Sequence, residues 1–524
     1  MKPKDKPVRA LLHGATLIGW SLGLVSCGAL DALVCETPQC QFSRAEWTAL
    51  RSLANLGLPP PDPSNKHVGN PAAERLGQKF YFDTRFSGDA TQVDSLRRPT
   101  PHARAPRGQP TGIACATCHV PSRAGIDPTS VPGHVSIGAG LYDVNAQPSV
   151  NAAYYTLLYW NGRVDSLWAQ ALAVAESVVS MAGNRLHIAW VIFEKYRDEY
   201  QSVFKDDPLP FDLSSTAVAS IVDGRGQCKL GLNQQCPAPN CHSVNDGATV
   251  ACLPRFPLEG RPGAIAGCQP GSISEPFFDA FDCMFEEDRR AVTRVLVNFG
   301  KAIAAYEYTL LSRNSAFDQF MEEGPQSTKL SPASQRGARL FVGKAACNEC
   351  HSTPLFSNNQ FENIGVPQVG PGIPTEADCP ENGVCDCVNG KNCLPWGAWD
   401  GLSKLRSNTF RRDSAWSDAP SDASRLTWVS KELDDSLKGA WRTPSLRDVA
   451  LTEPYMHNGI YQTLEEVVWH YNVGGSAAGS VGTSSKRLRP LGLSDAEQRD
   501  LVAFLKSLTG APLPAGSVAA PSLP

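Results

Sequence analysis

Two copies of one five-residue pattern constrain this chain more than any other feature: Cys115-Ala-Thr-Cys118-His119 and Cys347-Asn-Glu-Cys350-His351. The spacing has a chemical reason. Two thiols set three residues apart can add across the two vinyl groups of one haem. The next residue then lies beneath the iron and supplies an imidazole as proximal ligand. A single copy can arise by chance or serve zinc or thiol redox chemistry. Two copies, each in its own segment, point to two covalent haems. Zinc is disfavoured because neither copy has a second ligand pair close by. A stretched variant, Cys236-Pro-Ala-Pro-Asn-Cys241-His242, reads either as a third haem site or as a disulfide loop with a surface histidine. Two prolines between the cysteines and further cysteines nearby favour the disulfide.

The N-terminus bears on the compartment. Lys2, Lys4, Lys6 and Arg9 precede an apolar stretch from Ala10 to Val25, a secretory signal pattern over residues 1–26. It ends in Leu24-Val25-Ser26-Cys27, which resembles a bacterial lipobox. Cys27 is therefore the expected lipidation site, against the plainer reading of an ordinary cleavable signal with an incidental cysteine. Gly28 after the cysteine favours the outer membrane, so an exported lipoprotein facing the periplasm or cell surface is expected. No later stretch is long and apolar enough to span a bilayer. Of 17 cysteines, one is assigned to lipid and four to haem, which leaves an even twelve. In an oxidising compartment these default to disulfides, with no connectivity legible from sequence. The 48 basic and 52 acidic residues nearly balance, which argues against nucleic acid as a partner.

With 524 residues, more than one domain is expected. Residues 27–69 read as a linker with a helical turn or two around Glu46 to Leu56. Residues 70–325 hold the first haem motif, with a Cys-, Gly- and Pro-rich insert at 226–285. Residues 326–510 hold the second, interrupted by a Cys-rich loop at 370–400. Val292, Val295, Leu296, Phe299, Ile303, Tyr306 and Leu310 recur at helical spacing, so a long helix is predicted from about Asp288 to Leu311. Ser494-Asp-Ala-Glu497 is a capping box opening a last helix. The Pro/Ala/Ser-rich residues 511–524 read as a disordered tail.

Further landmarks run in a fixed order. They include Leu76-Gly-Gln-Lys-Phe-Tyr-Phe82, Asn145-Ala-Gln-Pro-Ser-Val-Asn151, Trp160-Asn-Gly-Arg163 and Ser166-Leu-Trp-Ala-Gln170. Gly337-Ala-Arg-Leu-Phe341, Phe361-Glu-Asn-Ile-Gly-Val-Pro367, Arg442-Thr-Pro-Ser-Leu-Arg447 and Pro454-Tyr-Met-His457-Asn-Gly459 follow. With the two haem motifs, this series resembles the bacterial di-haem cytochrome c peroxidase and MauG family over roughly residues 70–510. The resemblance implies a mainly α fold of two cytochrome-c-like haem domains, here with disulfide-rich loop insertions. It implies a peroxide site at the first haem, an electron-transfer role for the second, and Trp160 between them. The alternative for Trp160 is a packing role. It also implies a calcium ion between the domains, held by Asn145, Thr452 and Pro454. His119 and His351 are the expected proximal iron ligands.

The chain departs from the family pattern at the distal side. Peroxide cleavage needs a proton moved between its two oxygens, work suited to a carboxylate. The family's peroxidases carry Gln and Glu ten and twenty residues beyond the tryptophan; here those positions are Gln170 and Ser180, and the usual proline is Val174. Glu176, one turn earlier than Ser180, either substitutes or is a solvated helix residue. Where some members carry a distal histidine, this chain has Ala139 in Ser136-Ile-Gly-Ala139-Gly140, with His134 nearby as either ligand or loop residue. The second haem's sixth ligand, Met or Tyr in the family, falls fourteen residues after His457, on Tyr471. Ligation by His470 and a structural tyrosine are the competing readings. Three functions follow: peroxide-dependent oxidation of an electron-donor protein or of residues on a partner protein, a non-catalytic electron carrier, and a haem-based sensor.

Overall fold

A computed structural model describes residues 42–95, 98–131, 135–209, 241–245, 250–256, 281, 284–370, 397–421, 427–430, 432–476 and 478–524. The signal segment with Cys27, most of both Cys-rich inserts, and His134 lie outside the described residues. Helices dominate: α1 Arg44–Arg51, α2 Pro71–Phe82, α3 Cys115–Cys118, α4 Leu167–Ala175, α5 Arg185–Val203, α6 Glu286–Glu307, α7 Ala316–Glu323, α8 Pro332–Val342, α9 Ala398–Ser407, α10 Leu464–Val473, α11 Asp495–Lys506 and α12 Ala515–Val518. Two small antiparallel pairs accompany them, β1 Cys241–Asn245 with β2 Val250–Pro254, and β3 Phe361–Glu362 with β4 Trp441–Arg442. No helix among the described residues is long and apolar enough to cross a membrane.

The predicted long helix is α6. Its Val292, Val295, Leu296, Phe299, Ile303 and Tyr306 are buried, and it packs between α2 and α4. Close approach is possible because small residues face it: a Cβ at Gly77 would lie 1.8 Å from the Ala302 carbonyl oxygen. Around this helix lies one apolar core, drawn from residues 73–310. A second core joins α7, α8, α10 and α11, with Phe317, Phe341, Phe356 and Phe504 in edge-to-face contact. The capping box that opens α11 is present, with Ser494 accepting from Glu497 N and the Glu497 carboxylate from Ser494 N.

Three segments differ from expectation. Residues 42–54 of the stretch read as a linker are built into the second core, because Phe42, Trp47 and Leu50 form an apolar stripe that packs against Phe320. Phe317 and Phe320 of α7 also join that core, so it begins before residue 326. The tail is ordered rather than disordered: Gln78 donates to the Gly516 and Ala519 carbonyls, and Tyr306 to that of Ser517. Side chains of α2 and α6 thus satisfy a backbone whose composition suggested solvation. Of the twelve cysteines left for disulfides, Cys241 and Cys252 are described, on the facing strands β1 and β2; both are disulfide-bonded, which leaves Cys241 no thiol for a third haem.

Candidate active site

The first haem motif forms the single turn α3, and His119 follows it directly. The chain then folds back, bringing the Gly125 carbonyl oxygen 3.1 Å from His119 Nδ1. Gly125 has φ +74°, and a Cβ there would lie 2.2 Å from Ser149 Oγ, so the turn requires glycine. Tyr81 of α2 donates to the His119 carbonyl at 2.7 Å and fixes the loop to the core. Burial pushes the His119 pKa down, which keeps the ring neutral. With Nδ1 donating to a carbonyl, Nε2 keeps its lone pair for a metal.

The second motif repeats this arrangement. Cys347–Glu349 form a 3₁₀ turn, and His351 Nδ1 lies 3.0 Å from the Phe356 carbonyl oxygen. Burial again depresses the imidazole pKa. None of the four motif cysteines is taken up in a disulfide. Burial raises Cys118 and Cys347 to about 12 and Cys350 to about 11, and pushes Cys115 well up. Each motif lies half-buried on an apolar wall.

Each wall belongs to a large, mostly apolar cavity. The first, about 1140 Å³ counted out to its mouth, is bounded by Cys115, Cys118 and His119 and also by Gln170, Val174 and Ser180. The second, about 1920 Å³ on the same measure, is bounded by Cys347, Cys350, His351 and Tyr471. The two share a wall made of residues 145–148, Tyr155, Trp160 and Arg442. Trp160 is fixed there by its indole N–H, which donates to the Asn145 carbonyl at 2.8 Å. Two thiols, one neutral imidazole and an apolar cradle in each cavity fit a covalently held haem.

A family model described as di-haem cytochrome c peroxidase matches residues 71–223. The cytochrome-c peroxidase IdrP2 of Denitromonas iodatirespirans is 34% identical over 457 residues, covering 87% of this chain and 86% of the relative. The chain belongs to the di-haem cytochrome c peroxidase and MauG family. The methylamine utilization protein MauG of Methylorubrum extorquens is 24% identical over 99% of this chain and all of its own length. A solved MauG-like protein associated with microbial copper homeostasis, 20% identical, aligns over 89% of this chain and 99% of its own with a TM-score of 0.50, a likeness of fold. Family membership implies two c-type haems, and the two cavities accommodate them.

Within this di-haem peroxidase-family chain the expected site residues land unequally. Gln170 and Ser180 border the first cavity. Ala139 is buried, and its N–H donates to the Ser180 carbonyl, so this stretch braces Ser180 from behind. Glu176 does not border the cavity. Helix α4 ends at Ala175, and Glu176, as its cap, turns into a two-pronged ion pair with Arg185 at 2.6 and 2.7 Å. It is therefore no substitute for a distal carboxylate. Tyr471 faces the second cavity, whereas both ring nitrogens of buried His470 are engaged, Nε2 with the Ile364 carbonyl and Nδ1 with the Tyr461 hydroxyl. That leaves His470 no lone pair for iron. Asn145 and Pro454 come together, the Asn145 amide donating to the Pro454 carbonyl, with Thr452 on the border of the same cavity.

Two residues escaped the sequence reading. Glu307, the last residue of α6, is among the described residues the one carboxylate bordering the first cavity. It is 5% exposed, its Oε2 has no hydrogen-bond partner, and burial pushes its pKa up to about 8. Ile303, one turn earlier and on the same apolar stripe, was the signal that could have placed it inside. Arg442 was quoted only as part of a motif, yet it borders both cavities.

Proposed function

We propose that this chain reduces hydrogen peroxide at the first haem, with electrons drawn through the second from an electron-donor protein or from residues of a partner protein. The balance is two electrons and two protons per peroxide, giving two waters. The observation that carries the reading is the wall common to both cavities, with Trp160 fixed in it.

Bound haem supplies the redox-active iron. The chain supplies the rest. His119 would offer a neutral Nε2 to the iron, its Nδ1 being held by the Gly125 carbonyl. Gln170 offers an amide at the border of the same cavity, able to orient peroxide by hydrogen bonding. Ser180 can hydrogen-bond but cannot hold a proton reversibly near neutral pH, so proton transfer there relies on water. Trp160 shortens the path between the cavities. Tyr471, as sixth ligand of the second haem, would lower its potential by electron donation. A calcium ion at Asn145, Thr452 and Pro454 belongs to this proposal; oxygen ligation would turn the Asn145 amide so that Oδ1 faces Pro454. So do export and a lipid anchor at Cys27 in the outer membrane, which rest on the N-terminal sequence pattern.

One observation favours a second reading, a non-catalytic electron carrier: Ser180 replaces the distal carboxylate and Glu176 is committed to Arg185. Steady-state peroxide consumption with a reduced small redox donor separates the two. The proposal expects donor oxidised at two electrons per peroxide. A carrier leaves peroxide unconsumed, and that result would overturn the proposal.

A further inference from the structure

Among the described residues three arginines are buried to a similar degree, and two of them meet a carboxylate. Arg412 lies 2.9 Å from Asp62, and Arg447 holds Asp318 with both prongs at 2.7 and 3.1 Å. Arg442 differs. Its exposure is 2%, and no ion pair forms to it among the described residues. Its Cζ sits 3.6 Å above the Tyr155 ring, and its Nε is 3.4 Å from the Tyr159 carbonyl, a long contact. Nη1 is buried without any partner.

The backbone around it is firmly placed. Arg442 N donates to the Trp160 carbonyl at 2.8 Å, β4 pairs with β3, and Ser445 N donates to the Tyr155 hydroxyl at 2.8 Å. The side chain is thus held in the wall between the cavities, and among the described residues beyond 326 it alone reaches the border of the first cavity. A guanidinium this dry is costly without an anion, because a buried charge must be paired and hydrogen-bonded. Its planar fork matches a carboxylate. Each haem brings two propionate carboxylates into cavities that this guanidinium borders.

We propose that Arg442 is the clamp for a haem propionate at the wall between the two cavities, so that the holoprotein supplies the anion this buried cation lacks. The inference rests on the two-haem reading. The carboxylate comes from either haem, and the measurement distinguishes them. A cation beside a haem disfavours its ferric form, so removing the charge lowers that haem's potential.

The test uses the di-haem holoprotein, with haem counted by pyridine haemochrome and each midpoint measured at pH 8, where a released propionate is ionised. In R442Q one haem should shift by at least tenfold in its ferric/ferrous equilibrium, about 59 mV for one electron. The haem that shifts is the one whose propionate is held. R442K, which keeps the charge but loses the fork, should shift less than half as far. In the wild type, the Raman propionate bending band of that haem should move on H/D exchange. Unmoved potentials in a di-haem R442Q protein overturn the proposal. Should R442Q fail to load haem, a wild-type propionate band indifferent to H/D exchange overturns it equally. A wild type with fewer than two haems would remove the two-haem reading, and this proposal with it.

Discussion

Glu307→Gln should flatten the dependence of stability on pH. Glu307 sits at the C-terminal end of α6, where the helix dipole disfavours an anion, and burial pushes its pKa from 4.5 to about 8. The folded chain therefore holds this proton at neutral pH, while the unfolded chain releases it above about 4.5. Wherever the unfolded state binds fewer protons than the folded one, stability falls as pH rises. The stability tied to this proton is fully present below pH 4.5 and is lost progressively up to about pH 8. Between pH 5 and 7.5 the loss amounts to 2.5 pH units at 1.36 kcal/mol each, or about 3 kcal/mol. Gln has nearly the same shape and no proton to lose. Guanidinium denaturation of both holoproteins at pH 5 and 7.5 reads the effect, since other titrating groups cancel in the difference. The variant should gain about 3 kcal/mol on the wild type between the two pH values. Parallel pH profiles would refute the reasoning.

Ser180→Glu should place a carboxylate on the first cavity's wall and speed the peroxide reaction at least about tenfold, measured by stopped-flow absorbance. Glu176→Gln should leave that rate unchanged, because Glu176 faces Arg185 and not the cavity; a crippled rate would show the ion pair opens in the working protein. Tyr471→Met should raise the midpoint potential of the second haem, read by spectroelectrochemical titration, and an unchanged potential would remove Tyr471 as its ligand. Cys27→Ser should release the protein from the membrane fraction without altering its haem spectrum, and continued sedimentation with membranes would count against lipidation.

Both haem motifs were legible because covalent attachment demands local spacing, so residues 115–119 and 347–351 carry their chemistry within five positions. The α6 stripe and the α11 capping box were legible for the same reason: each is local periodicity or a local hydrogen-bond pair. What sequence misplaced depends on where elements stop or meet. Glu176 was placed near Ser180 by counting along a continuing helix, but α4 ends one residue before it and the side chain turns away. Glu307 drew no notice in the sequence, because its burial depends on the packing of α6 between α2 and α4, which buries every residue from Val295 to Glu307. The role of Arg442 depends on contacts with residues 155–160, nearly three hundred positions earlier, which no local pattern encodes. The tail was misread because its composition is that of a solvated segment, whereas Gln78 and Tyr306 satisfy its carbonyls.

The central claim is that one oxidant acts at the first haem and is felt at the second across the Trp160 wall. Its most direct test is titration of the fully ferric di-haem protein with hydrogen peroxide, following the absorption of both haems. The account predicts a spectral change that is complete at one peroxide per chain, involves both haems, and becomes confined to the first haem in W160F. A ferric protein whose spectrum does not respond to peroxide, or a W160F protein in which both haems still respond at the wild-type rate, would contradict it.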